Sequence, residues 1–63
     1  MELYKLFLNI EIQSEYKVVY YDYEKEQRIV LGEEAISHYT DKEIKYVYVE
    51  DGILYIEIDV EEE

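Results

Sequence analysis

The sequence predicts an α+β domain. It consists of an antiparallel β-sheet of three to four strands carrying one short helix, in the order β-β-α-β-β, and it is paired into a homodimer. Three observations lead there. Hydrophobicity alternates with period 2 along most of the chain, as a half-buried strand requires. One stretch, Gly32 to Tyr39, breaks that period with helical spacing. Finally, the chain has 63 residues, no cysteine and one histidine. One domain (residues 1–63) is all that length accommodates. A domain this small folds marginally unless a disulfide, a metal or a second subunit supports it. The first two are excluded by composition, so association with a second copy is the expectation.

Each element follows from its residues. In the first segment Leu6, Leu8, Ile10 and Ile12 alternate with Lys5, Phe7, Asn9 and Glu11, which reads as a strand. The same start, MELYKLFLNIEI, carries Glu2 and Glu11 and no small-residue cleavage site, so it does not read as a signal peptide. With the absence of cysteine, this places the expectation in the cytoplasm. Gln13-Ser14-Glu15 is a turn. Tyr16 to Tyr23, YKVVYYDY, is β-branched and aromatic, as strands prefer. Both of its faces are partly apolar, which suits a central strand or one covered on both sides. Residues 24–28 are polar and fit a strand extension or a loop equally well. Ile29-Val30-Leu31 is a short apolar stretch.

In the stretch that follows, Glu33 and Glu34 fall in the first turn of the helix, where its dipole favours acids. Ala35, Ile36 and Tyr39 share one face. Two turns cannot stand alone and must pack on the sheet. Ile44 to Val49 and Ile53 to Val60 are the clearest strands. Asp51-Gly52 between them is a strong hairpin signal. Residues 61–63 form a block of three glutamates, expected to fray.

Charge narrows function. Seventeen acids face six bases, a formal net of −11. Direct binding to nucleic acid or an anionic membrane is excluded, since those surfaces are held by clustered Lys and Arg. No run reaches the ~18 apolar residues of a membrane span. Disorder is disfavoured, because 49% of the chain is hydrophobic. Catalysis has little to work with. Ser37 and His38 are neighbours that cannot face each other on a helix, and no nucleophile-elbow, phosphate-loop or zinc-protease motif is present. No metal set and no cofactor are expected. Asp41 with Glu43 and Glu50 with Asp51 read as solvated turns rather than calcium ligands.

Two features remain. Asp22, Glu24 and Glu26, and likewise Glu57, Asp59 and Glu61, alternate. Extended chain spaces such charges at ~6.6 Å in a line, and a line of negative charge on a rigid element imitates a nucleic-acid backbone. Asp22 and Glu24 are therefore candidate partner-binding residues. The second feature is nine tyrosines, which read either as a half-buried sheet surface or as an interface. Tyr20, Tyr23, Tyr46 and Tyr48 are the candidates for the dimer contact.

The series Tyr20-Tyr21-Asp22-Tyr23, a polar stretch, IVLGEEAISHY, and Asp41-Lys42-Glu43-Ile44-Lys45 entering a strand resembles a known family. These are the very small, acidic, dimeric uracil-DNA glycosylase inhibitors of bacterial viruses. The resemblance runs from about Leu6 to Asp51 and rests on order and short local matches. It implies a three-stranded antiparallel sheet with a helix, and a dimer that imitates DNA. Its acids would take the enzyme's phosphate sites, and an apolar pocket between protomers would take the enzyme's DNA-probing side chain. Residue by residue, the resemblance puts Glu33, Glu34, Ile36 and Tyr39 on the binding edge, with Tyr20 and Tyr23 supporting sheet and dimer. The family helix carries an aromatic near the place of Ala35 and Ile36, and the strand Ile53 to Val60 lies beyond the family's usual length. The expected function is thus a DNA-mimic inhibitor of a basic host enzyme, most directly uracil-DNA glycosylase. Another counter-defence mimic (anti-CRISPR or anti-restriction) and a purely structural homodimer are the alternatives.

Overall fold

The computed structural model describes residues 1–60, so the expected fraying of residues 61–63 and the third member of the last acid row, Glu61, lie outside it. The described residues form two short helices and one four-stranded sheet: α1 (Leu3–Asn9), β1 (Tyr16–Asp22), β2 (Gln27–Leu31), α2 (Glu33–Ile36), β3 (Ile44–Glu50) and β4 (Ile53–Ile58). The class is α+β, as the sequence predicts, but the sheet is mixed and a second helix is present.

The two hairpins form from local chemistry. Between β1 and β2 the chain turns through residues 23–26, so the polar run divides into a turn and the start of β2. Asp22 Oδ1 holds that turn by accepting hydrogen bonds from the backbone N–H of Glu24 (3.0 Å) and Lys25 (3.2 Å). Glu26 completes the reversal at φ 53°. Between β3 and β4, Asp51 and Gly52 both take positive φ, 52° and 77°. Positive φ at both central residues is the requirement of a type I′ hairpin, which Asp-Gly meets most readily.

The hairpins join side by side in the order β2-β1-β4-β3. The joint is parallel: Tyr16, Lys17, Val18 and Val19 of β1 face Leu54, Tyr55, Ile56 and Glu57 of β4. This corrects the all-antiparallel expectation. Each hairpin is antiparallel within itself, but the segment Gly32 to Glu43 carries the chain back before β3 begins, so the second hairpin docks with β4 along β1. The two joined strands are central. Val18 and Val19, adjacent and therefore on opposite faces, are both fully buried.

The first segment is the second correction. Residues 3–9 are helical, not extended. Leu3, Leu6 and Phe7 stand at i, i+3 and i+4, a helical stripe that coexists with the period-2 alternation. Leu3 is fully buried and Leu6 and Phe7 pack against the core, whereas Leu8 is 77% exposed. Tertiary structure decides between the two readings. The N–H groups of Leu3 and Tyr4, which a helix leaves without internal partners, donate to the carbonyls of Lys42 and Thr40, both at 2.9 Å. The Lys5 ammonium also meets the Glu2 carboxylate at 3.1 Å, one turn apart.

Both helices cover the same sheet face. Leu3, Val18, Leu31, Ile56 and Ile58 form the core, with Ala35, Ile36, Tyr39 and Tyr20 packed against it. α2 is one turn long and continues through i→i+3 bonds from His38 N–H to Ala35 and from Tyr39 N–H to Ile36. No helix among the described residues is long and apolar enough to cross a membrane.

Two outcomes follow. Leu3→Ala is expected to cost about 2–5 kcal/mol by urea denaturation, and Leu8→Ala to stay within ~0.5 kcal/mol; a first strand pointing Leu8 inward would reverse the order. Asp22→Ala is expected to cost about 1–3 kcal/mol, and Asp22→Asn to retain most of the stability because its carbonyl still accepts both N–H groups.

Candidate functional site

The sheet presents one face that no helix covers. Strand alternation and register place Lys17, Val19 and Tyr21 of β1, Arg28 and Val30 of β2, Tyr46, Tyr48 and Glu50 of β3, and Tyr55 and Glu57 of β4 there. An irregularity between Ile44 and Tyr46 changes the phase of β3. It puts Ile44 on the core face and the tyrosines on the open one.

Arg28 organises this face. It is the chain's single arginine, and it reaches from edge strand β2 across the sheet. Its guanidinium donates to Tyr48 Oη at 2.8 Å and to Glu50 Oε1 at 3.3 Å. Its Cζ lies 4.8 Å from the centre of the Tyr55 ring and 5.8 Å from that of Tyr48. The two rings stack, with centroids 5.5 Å apart and planes 14° from parallel. The Tyr48 and Glu50 contacts hold the guanidinium charged even more firmly than usual. Val19 points to this face, away from the helices, and is nonetheless fully buried. A second cation repeats the pattern at the rim. Lys45 Nζ donates to Tyr23 Oη at 3.1 Å and lies within 6 Å of the Tyr23 and Tyr46 rings. The Tyr23 hydroxyl raises its pKa.

The opposite end of β1 borders a cleft of about 530 Å³. Val30, Leu31 and Ile36 supply its apolar walls, Glu15 and Glu33 its carboxylates, and Lys17 one cation. Both acids are exposed.

The residues expected to bind a partner are distributed unevenly. Glu33 and Ile36 line this cleft together. Glu34 is exposed on the same turn, and Tyr39 packs against the core and stacks on Tyr20, centroids 6.0 Å apart. Asp22 is 7% exposed, with its oxygen engaged in the turn, while Glu24 is exposed at that turn's tip. The expected row Asp22, Glu24, Glu26 is therefore not a line of outward charges, because the chain reverses beneath it. The four expected dimer tyrosines do not share a surface. Tyr23, Tyr46 and Tyr48 belong to the open face, and Tyr20 to the helical one. Tyr21 and Tyr55 join the first group instead, with Tyr21 edge-on to Tyr23 at 4.9 Å. The strand period would have separated Tyr20 from Tyr21; what it could not supply is which strands are neighbours. Among the described residues no group of acids and histidines is arranged to hold a metal ion.

No family model, no curated protein and no solved structure matches this chain.

The Arg28 arrangement predicts a particular response. Arg28→Ala is expected to lower the urea midpoint, and the loss to persist at about 1 M salt, where charges are screened over ~3 Å. Persistence marks stacking on the Tyr48 and Tyr55 rings; a loss that disappears in salt would mark the Glu50 ion pair alone.

Proposed function

We propose that the chain is an acidic, non-enzymatic inhibitor that imitates DNA and occupies the DNA-binding groove of a basic host enzyme in the cytoplasm. Uracil-DNA glycosylase is the first target, and the active form is a homodimer. The observation that carries this reading is the cleft beside α2. Glu33 and Ile36, which the resemblance assigns to a binding edge, line one concavity with Glu15 and Lys17, so two carboxylates and one cation stand beside apolar walls. Carboxylates at that rim suit an enzyme's phosphate contacts, and the walls of Val30, Leu31 and Ile36 suit an apolar probe. The cleft belongs to a single chain, whereas the resemblance implies a pocket between protomers. A charge of −11 favours fast capture by a basic groove. Counter-defence mimics directed at CRISPR or restriction enzymes would use the same chemistry on another target.

The test is uracil excision by a bacterial uracil-DNA glycosylase, titrated with this protein at about 50 and 200 mM salt. Inhibition that weakens steeply with salt, and falls by up to about fivefold for each of Glu33→Gln and Glu34→Gln, is the expected result. Absence of inhibition at micromolar excess removes this target. Recovery of no DNA-binding enzyme from host lysate would then favour a structural homodimer.

A further inference from the structure

We propose that two copies of this chain meet through the open sheet face. The inference deepens the dimer in the reading above and rests on that dimer, but not on which enzyme is bound. It begins from electrostatics. Each copy carries −11, so contact through an acid-rich surface brings like charges together. The open face is the exception. Lys17, Arg28 and Lys45, half of the chain's six bases, stand on it or at its rim. Glu50, which pairs with Arg28, and Glu57, which accepts from the Tyr48 hydroxyl, stand there with them. The strand positions of the face, Lys17 and Arg28 against Glu50 and Glu57, are therefore balanced, and most of the acidic excess lies elsewhere in the chain. A balanced face can oppose a copy of itself without net repulsion, and Glu33 and Glu34 lie outside it, on α2.

The aromatic content of the same face supplies the attraction. Tyr21, Tyr23 and Tyr46 are 37%, 68% and 57% exposed, around the half-buried stack of Tyr48 and Tyr55. Tyrosine and arginine are the residues enriched where interfaces hold their energy. The rings are also already fixed: Arg28 and Lys45 bind them within the chain, so little side-chain freedom remains to be lost on pairing. Four strands ~4.8 Å apart and up to seven residues long at ~3.3 Å each make a modest face. It falls below the size of standard stable interfaces, among weak and transient contacts, so the dissociation constant is expected in the micromolar range or weaker.

Salt separates this contact from target binding, because the two respond with opposite sign. Screening relieves repulsion between two acidic copies and tightens the dimer, while it weakens capture by a basic groove. Sedimentation velocity across a concentration series, at about 50 and 500 mM salt, measures the first. Expected are a dimer that tightens with salt, weakening of about tenfold or more for Tyr46→Glu, and no change for Val49→Glu. Val49 is 68% exposed on the other face of β3. Tyr23→Glu, altered in the turn rather than in a strand, is the second variant should Tyr46→Glu lose its circular dichroism signature. A chain that stays monomeric to about 1 mM overturns the proposal, as does weakening by Val49→Glu in place of the tyrosine variants. A monomeric Tyr46→Glu chain that still inhibits the glycosylase would support the face contact while removing the dimer from the inhibitory mechanism. A dimer with no inhibition would leave the contact standing and sink the target.

Discussion

The structure depends on the parallel seam between β1 and β4. Each hairpin alone is a two-stranded ribbon, which is marginal in water. Joining them along Val18 and Ile56 creates a sheet wide enough for both helices to pack on. Four residue pairs make the seam, and both strands that form it contribute fully buried side chains. Parallel strands in the interior of a sheet are covered on both faces. Here the two covers differ in kind. One is an apolar layer of Leu3, Leu6, Phe7, Ile36 and Tyr39. The other is a mesh of tyrosines bound to Arg28.

That second cover links stability to interaction. A 63-residue chain has too little apolar material for two full cores. Amphipathic side chains make up the difference, since arginine and tyrosine offer apolar stems and rings to a sheet face while keeping their polar ends in water. The same groups leave a surface that is aromatic, ordered and neutral. Glu50 and Glu57 remain on it beside Arg28 and Tyr48, while other acids stand in the turns, on α2 and in the cleft. Charge is thus segregated by the fold, although composition reports only its sum.

Several features were legible before the structure. The Asp51-Gly52 turn was, because two consecutive positive φ angles admit few residues. So was the strand read at Tyr16 to Tyr23, whose two partly apolar faces suit a central strand or one covered on both sides; β1 (Tyr16–Asp22) is both. The packing side of α2 was legible from Ala35, Ile36 and Tyr39. The first segment was not. Leu3-Leu6-Phe7 and Leu6-Leu8-Ile10 are both regular patterns in the same short run, and the carbonyls of Thr40 and Lys42 that favour the helix lie far away in the sequence. Asp22 misled for a related reason. Its spacing from Glu24 implied a continuing strand, but its carboxylate reaches the backbone N–H groups just beyond it and turns the chain.

The amino-acid sequence by itself determined what is local or summed: the α+β class, the Asp51-Gly52 hairpin, a helix of at most two turns after Gly32, and an acidic net charge of −11. These follow from side-chain period, turn chemistry and composition, which need no knowledge of neighbours in space. Only tertiary structure decided the parallel seam, the helical state of residues 3–9, and the grouping of Tyr21, Tyr23, Tyr46, Tyr48 and Tyr55 around Arg28 and Lys45. Each of these depends on contacts between residues distant in the chain. Loop closure and burial set such contacts jointly, and no short window of sequence contains both partners.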